Sequence, residues 1–94
     1  MRTYEKDANE LLDYLIDYSR ALANGDIIVL STWEMDAGAA TGAPVIEATQ
    51  SSDTVTTIWL SGGVDGQQYV FRNDVTTNDG RRMTRRIKIS VNKH

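Results

Sequence analysis

Nucleophiles and metal ligands are scarce in this sequence: none of its 94 residues is cysteine and one is histidine. That histidine, His94, stands last, where a fraying terminus gives it no fixed place beside a serine, so a Ser-His-Asp relay is not expected. No Gly-x-Ser-x-Gly elbow surrounds any serine. Asp13 and Asp17 share a face on either a strand or a helix, the minimum for a two-carboxylate mechanism, but a solvated face is the commoner meaning of that spacing. Oxygen ligands at Asp65, Asn73, Asp74, Asn78 and Asp79 lack the spaced acids of a calcium loop and read as turn caps. Gly62-Gly63-Val64-Asp65-Gly66 has no Gly-Lys-Ser/Thr ending and leads into no helix, so it is not a phosphate loop. The sequence is therefore expected to be no enzyme, with no cofactor and no metal.

Charge is the more informative signal. Arg81, Arg82, Arg85, Arg86, Lys88 and Lys93 place six cations in thirteen residues, enough to follow a phosphate backbone. Alternation divides them, with Arg82, Arg86 and Lys88 in one outward stripe and Arg81 and Arg85 on the other side. No aromatic residue interleaves to stack on bases. A solvated edge or a subunit contact accounts for the cluster, and nucleic acid is not expected as a partner. The net charge of −3 conceals a polarity along the chain: residues 1–53 hold ten acids against three bases, residues 54–94 three against seven. Such a chain suits head-to-tail packing of identical subunits.

The elements that must carry these residues read as strands. The stretch from Val55 to Phe71 looks like two strands joined by a glycine-rich hairpin connection, rich in β-branched and aromatic types. Ahead of it, residues 1–7 are polar and are expected to form a flexible arm, with a single domain over 8–94. The segment from Ala8 to Leu22 fits both a helix, through Leu11, Leu12, Leu15, Ile16 and Ser19, and a strand, through Leu12, Tyr14, Ile16 and Tyr18. Ala23-Asn24-Gly25-Asp26 breaks the chain. A strand follows over 27–35, a small-residue loop over 36–44 and a short strand over 45–49. The strand from Tyr69 to Thr77 leads through Asn78-Asp79-Gly80, a strong hairpin turn, into a last strand over 82–92 whose Ile87, Ile89 and Val91 point inward. No apolar run approaches the roughly 20 residues that cross a bilayer.

Six or seven short strands at this spacing predict an all-β sandwich or barrel, at the size usual for an immunoglobulin-like domain but without its cysteine pair. Expected core residues are Tyr14, Ile16, Ile28, Trp33, Ile58, Trp59, Leu60, Tyr69, Phe71, Val75, Ile87, Ile89 and Val91. Either tryptophan could instead anchor a subunit contact.

Taken in order, Lys6-Asp7, Leu12-Asp13-Tyr14-x-Ile16-Asp17-Tyr18, Gly25-Asp26-x-Ile28, Ser31-Thr32-Trp33, Ile58-Trp59-Leu60-Ser61-Gly62-Gly63 with Gly66 and Tyr69, Thr76-Thr77-x-x-Gly80-Arg81 and Arg86-x-x-Ile89-x-Val91 resemble a family of small tailed-bacteriophage structural proteins. Its members are labelled neck or head-to-tail connector proteins, or fibre-to-tail adaptors. The resemblance implies an immunoglobulin-like β-sandwich without enzyme activity, made in the host cytoplasm and assembled as several copies, a homo-oligomeric ring, in the virion. Its implied partners are portal, adaptor, tail-completion or fibre proteins, with no membrane. It also implies that the ambiguous segment is a strand followed by a short helical turn near residues 19–24. The sequence departs from the family pattern at Tyr18 and Ala21, where tryptophan is frequent, and in the arginines at 81, 82, 85 and 86. Between copies, Asp7, Glu10 and Asp13 are expected to face Arg82, Arg86 and Lys88. The alternative reading is a capsid decoration or fibre-adaptor module that offers its Ala37–Ala43 and Gly62–Gly66 loops to a glycan or receptor.

Overall fold

The computed structural model describes residues 1–92, so Lys93 and His94 lie outside the described residues. Seven strands follow one another: β1 (Arg2–Lys6), β2 (Leu11–Asp17), β3 (Ile28–Ala37), β4 (Val45–Ser51), β5 (Val55–Ser61), β6 (Gln68–Thr77) and β7 (Arg82–Val91). They form two sheets, a four-stranded one in the order β1-β7-β6-β3 and a three-stranded one in the order β2-β5-β4. The result is the all-β sandwich that the strand spacing predicts.

Burial of two tyrosines decides the ambiguous segment. As a strand, residues 11–18 turn Tyr14 and Tyr18 fully inward and Leu12 and Ile16 partly so, while Leu11 and Leu15 stay exposed. A helix would gather the leucines on one face and leave both rings at its flank. Pairing with β5, from Leu11 opposite Ser61 to Asp17 opposite Val55, locks the strand choice. The helical turn expected near residues 19–24 does not form. The Tyr18 carbonyl accepts from the Ala21 and Leu22 amides, but no helix continues from these bonds, and Gly25 at φ 83° redirects the chain.

Two further expectations change. Strands β5 and β6 are not a hairpin, because they belong to different sheets and face each other across the core. Their connection is too long for a two-residue reversal, and at Gly63 (φ 102°) an added Cβ would lie 2.8 Å from Val91 and 3.2 Å from Pro44. The N-terminal segment, expected as a flexible arm, instead supplies β1, which pairs parallel with β7 from Arg2 opposite Ile87 to Lys6 opposite Val91. Lys6 is completely buried there, and its ammonium donates to the carbonyls of Asp7 (2.9 Å) and Gly62 (2.8 Å). Desolvation lowers its pKa below the ordinary 10.5, against the opposing charges of Glu10 and Asp7.

The larger apolar cluster comprises Tyr14, Trp33, Ile58, Leu60, Tyr69, Phe71, Ile87, Ile89 and Val91, and a smaller one holds Tyr18, Ile28 and Val75. Ile16 is half-buried and packs against both. Trp59, expected in the core, is on the outer face of β5, because its neighbours Ile58 and Leu60 take the inner one.

Between the two clusters lies a polar residue with no access to solvent. Asn73 on β6 accepts from the Tyr18 hydroxyl (2.9 Å) and the Thr56 hydroxyl (3.0 Å), and donates to the Ser31 hydroxyl (2.9 Å) and the Thr32 carbonyl (3.0 Å). All four bonds that a side-chain amide can make are made. Where the chain enters β3, the buried Asp26 carboxylate accepts from the Ile27 amide (2.9 Å), the Asp79 amide (3.0 Å) and the Arg81 guanidinium (3.3 Å). Desolvation works to raise its pKa, but those bonds and one from Thr77 outweigh it and hold the carboxyl below its ordinary value. It ties the connection into β3 to the β6–β7 turn.

Replacing Asn73 by Leu removes the four bonds and leaves the Tyr18 and Thr56 hydroxyls without their acceptor, so unfolding in urea should show a loss of about 3 kcal/mol. Tyr18→Phe alone should cost about 1 kcal/mol, and the pair should be non-additive by a comparable amount; additive losses would mean that the two groups do not act together.

Desolvation also pushes the phenols of Tyr14 and Tyr18 up to about 12, from 10.0 in the unfolded chain. Their stabilising contribution is complete below pH 10 and is lost as pH rises through 12. Lys6 acts oppositely, but only until pH 10.5, above which its unfolded form is neutral too. Thermal melts should therefore fall between pH 10.5 and 12, and Tyr18→Phe should flatten that fall.

Candidate protein-docking surface

The outer faces of the two sheets differ in kind. On the four-stranded sheet, Arg72 at the middle of β6 pairs with Glu34, with Asp36 (2.8 Å) and with Asp74 (2.9 Å). Asp36 also binds Arg86 Nε at 2.8 Å. The Thr84 hydroxyl donates to Asp74 at 2.6 Å, and this bond, followed by that from Arg72, holds the Asp74 carboxyl below its ordinary value. Most charges of this face are satisfied within the chain; Arg82 and Lys88, on the same face of β7, have no ion pair among the described residues.

The three-stranded sheet does the opposite. Trp59 stands at the middle of its outer face, with Asp13 of β2 opposite it on one side and Ala48 of β4 on the other. Alternation puts Leu11, Leu15, Val45 and Val55 around it. Leu11, Leu15 and Val45 are 53%, 51% and 55% exposed, unusual for side chains of that size grouped on one face. No Lys or Arg occurs in β2, β4 or β5, so the face sets these apolar side chains among the uncharged Thr57, Ser61 and Gln50, with an acidic border at Asp13 and Asp17. The Ser19 amide, at 2.8 Å, and then its hydroxyl lower the Asp17 pKa, so that carboxylate stays charged in mild acid.

Along one side of the sandwich, where β1 and β2 part, lies an open cleft of about 420 Å³ with Arg2, Asp17 and Arg85 at its rim and Tyr4, Ile16 and Ile87 in its lining. The rings of Tyr4 and Tyr14 lie 5.0 Å apart between the two sheets, and the Arg85 guanidinium is 5.6 Å from the centre of the Tyr18 ring.

The residues expected to join neighbouring copies are spread over the molecule. Asp7 and Glu10 build the β1–β2 turn: the Asp7 carboxylate accepts from the Asn9 amide (2.9 Å), and that of Glu10 from the Asp7 amide (2.8 Å). Asp13 is exposed on the apolar face beside Trp59. Arg82 and Lys88 lie on β7 with no ion pair among the described residues, while Arg86 is already held by Asp36. The geometry thus brings no acid of that set to a base of it within one chain. The loops proposed as glycan readers buttress each other, since an added Cβ at Gly42 would lie 2.7 Å from Val64 and one at Gly63 3.2 Å from Pro44. Among the described residues no three His, Cys, Asp or Glu side chains gather to hold a metal. Of the five expected turn-capping residues, two lie inside β6 instead: Asp74 joins the ion pairs around Arg72, and Asn73 is the buried link between the sheets, its place on one face with Tyr69, Phe71 and Val75 having been the available signal.

A family model described as podophage GP4 fiber-tail adaptor protein gp77 matches residues 6–90. No curated protein matches the chain. The matched span runs from the buried Lys6, the last residue of β1, almost to the end of β7, and so takes in strands β2 to β6, most of β7, the Asn73 link and the face around Trp59. The chain belongs to the podophage GP4 fiber-tail adaptor protein gp77 family of bacteriophage structural proteins.

Proposed function

We propose that this protein is a virion component that joins a tail fibre to the tail of a podophage by protein–protein contact, without catalysing a reaction. The match of a fibre-tail adaptor family over residues 6–90 carries the reading. The surface chemistry supports it: a sheet face with an aromatic centre, an aliphatic surround and an acidic border has the composition of a protein contact rather than of a substrate site. A neighbour with an apolar patch and a basic rim fits that face.

The sandwich itself is best read as immunoglobulin-like. In chain order its sheets are 2-5-4 and 1-7-6-3, which correspond to the B-E-D and C-F-G groupings of that fold with the first strand moved to the G edge. Two details support the reading. Trp33 occupies the buried position on the third strand, and the Tyr69 hydroxyl, near the start of the sixth, accepts from the Val64 amide at 3.2 Å in the manner of a tyrosine corner. Assembly of several copies in a neck ring would have to use Asp13, Arg82 and Lys88, since Asp7, Glu10 and Arg86 have partners within the chain.

Purified chain mixed with the tail and fibre proteins of its own phage should capture both. Trp59→Ser combined with Leu15→Ser should weaken capture of one of them at least tenfold while leaving the melting temperature within a few degrees, because both side chains lie outside the core. Thr32→Ala, on the ion-paired face, should leave capture unchanged. Failure to capture either protein would overturn the adaptor reading, and wild-type capture by the double variant would remove the Trp59 face from it.

A further inference from the structure

Strand β1 covers only half of the strand beside it. Its five residues pair with Ile87 to Val91, whereas β7 begins at Arg82. From Arg82 to Arg86 the backbone of β7 is thus paired on one side only, by β6. An open edge of this kind is a template for another strand.

This stretch differs from the other edges of the sandwich in what surrounds it. The 420 Å³ cleft lies alongside, and Arg85 and Arg86 belong to both, so a strand added here would have a place for a side chain between Ile16 and Ile87. Its flanks are basic. Arg2 and Arg82 make no ion pair among the described residues, Arg86 engages Asp36 through Nε, and Arg85 donates to the Thr84 carbonyl. Asp17 is the one acid in the cleft lining. By contrast, β4 carries no Lys or Arg, and the β3 edge has Glu34 and Asp36 already paired with Arg72. Edge arginines also repel the same edge of a second copy, which leaves an oppositely charged strand as the fitting occupant.

We propose that the open Arg82–Arg86 edge of β7 receives an extended acidic segment of a partner protein. The segment adds as a strand in line with β1, sets an apolar side chain into the cleft against Ile16 and Ile87, and meets Arg82 and Arg86, on the opposite face of β7, with its carboxylates. The inference rests on reading the chain as a protein adaptor and names the chemistry of one of its partners.

The test uses the whole chain and a synthetic alternating Glu-Val peptide of about eight residues, the length of an ordinary strand, with a Lys-Val peptide as its counterpart. Titration followed by amide chemical shifts and by hydrogen exchange should show the Glu-Val peptide binding, with exchange slowed at amides between Arg82 and Arg86. Affinity should fall at least fivefold in the Arg82→Glu variant, whose side chain is exposed and unpaired among the described residues, so that the fold stays intact. The Lys-Val peptide should not bind. Equal affinity for the two peptides, protection confined to β3 or β4, or concentration-dependent self-association that already protects residues 82–86 would each overturn the proposal, the last by making a second copy the occupant. No tail or fibre protein enters the experiment, so its failure leaves the adaptor reading standing, and failure of that reading leaves the peptide result intact.

Discussion

One buried amide holds the two sheets of this protein in a fixed relation. Asn73 reaches Tyr18 and Thr56 of the three-stranded side with its oxygen, and Ser31 and Thr32 of β3 with its nitrogen. A sandwich of apolar side chains tolerates some sliding of one sheet over the other, because dispersion and burial have little direction. Four bonds of fixed geometry do not, and each broken one would leave a polar group dry at about 1–3 kcal/mol. Tyr18 is placed by this link, and the end of β2 and the position of Arg85 over the Tyr18 ring follow from it. The cleft beside β7 has its shape because that corner is pinned.

With the sheets pinned, their outer faces are free to specialise. The ion-paired lattice around Arg72 contributes little to stability, since exposed pairs are worth roughly 0–1 kcal/mol each. Its effect is to leave a neighbour few unpaired charges to meet beyond Arg82 and Lys88. Around Trp59 the balance is reversed: apolar area there gains about 25 cal/mol for each Å² taken from water, a gain realised only when a partner covers it. A small domain of 94 residues that leaves several large aliphatic side chains open around a tryptophan forgoes stability it could have had. A partner covering that face would recover the area, and membership of an adaptor family accords with that.

How far the sequence could be read depended on which physical signal was present. Alternation in β7 shows Ile87, Ile89 and Val91 to share a face, and Asn78-Asp79-Gly80 marks the β6–β7 hairpin, because both are local. The same alternation required that Ile58, Trp59 and Leu60 could not all point inward, and size alone wrongly favoured Trp59 as a core residue. The crossing of β5 to the other sheet left no local mark, since a glycine-rich connection serves a hairpin and a sheet-to-sheet passage equally. Strand β1 was hidden by its composition: Arg2, Thr3, Glu5 and Lys6 look solvated, and only a parallel neighbour and two carbonyls waiting for an ammonium explain Lys6 in the interior. The docking surface was least legible of all, because charge patterning along a chain does not say which acids and bases its own folding will pair.

The adaptor account is tested most directly by a cryo-electron microscopy map of the phage particle at side-chain resolution. The account predicts this sandwich at the junction of fibre and tail, with the Trp59 face of the three-stranded sheet covered by a neighbouring protein and the ion-paired face of the other sheet turned to solvent. A map that places the chain elsewhere in the particle, or at the junction with the Trp59 face bare, would contradict it.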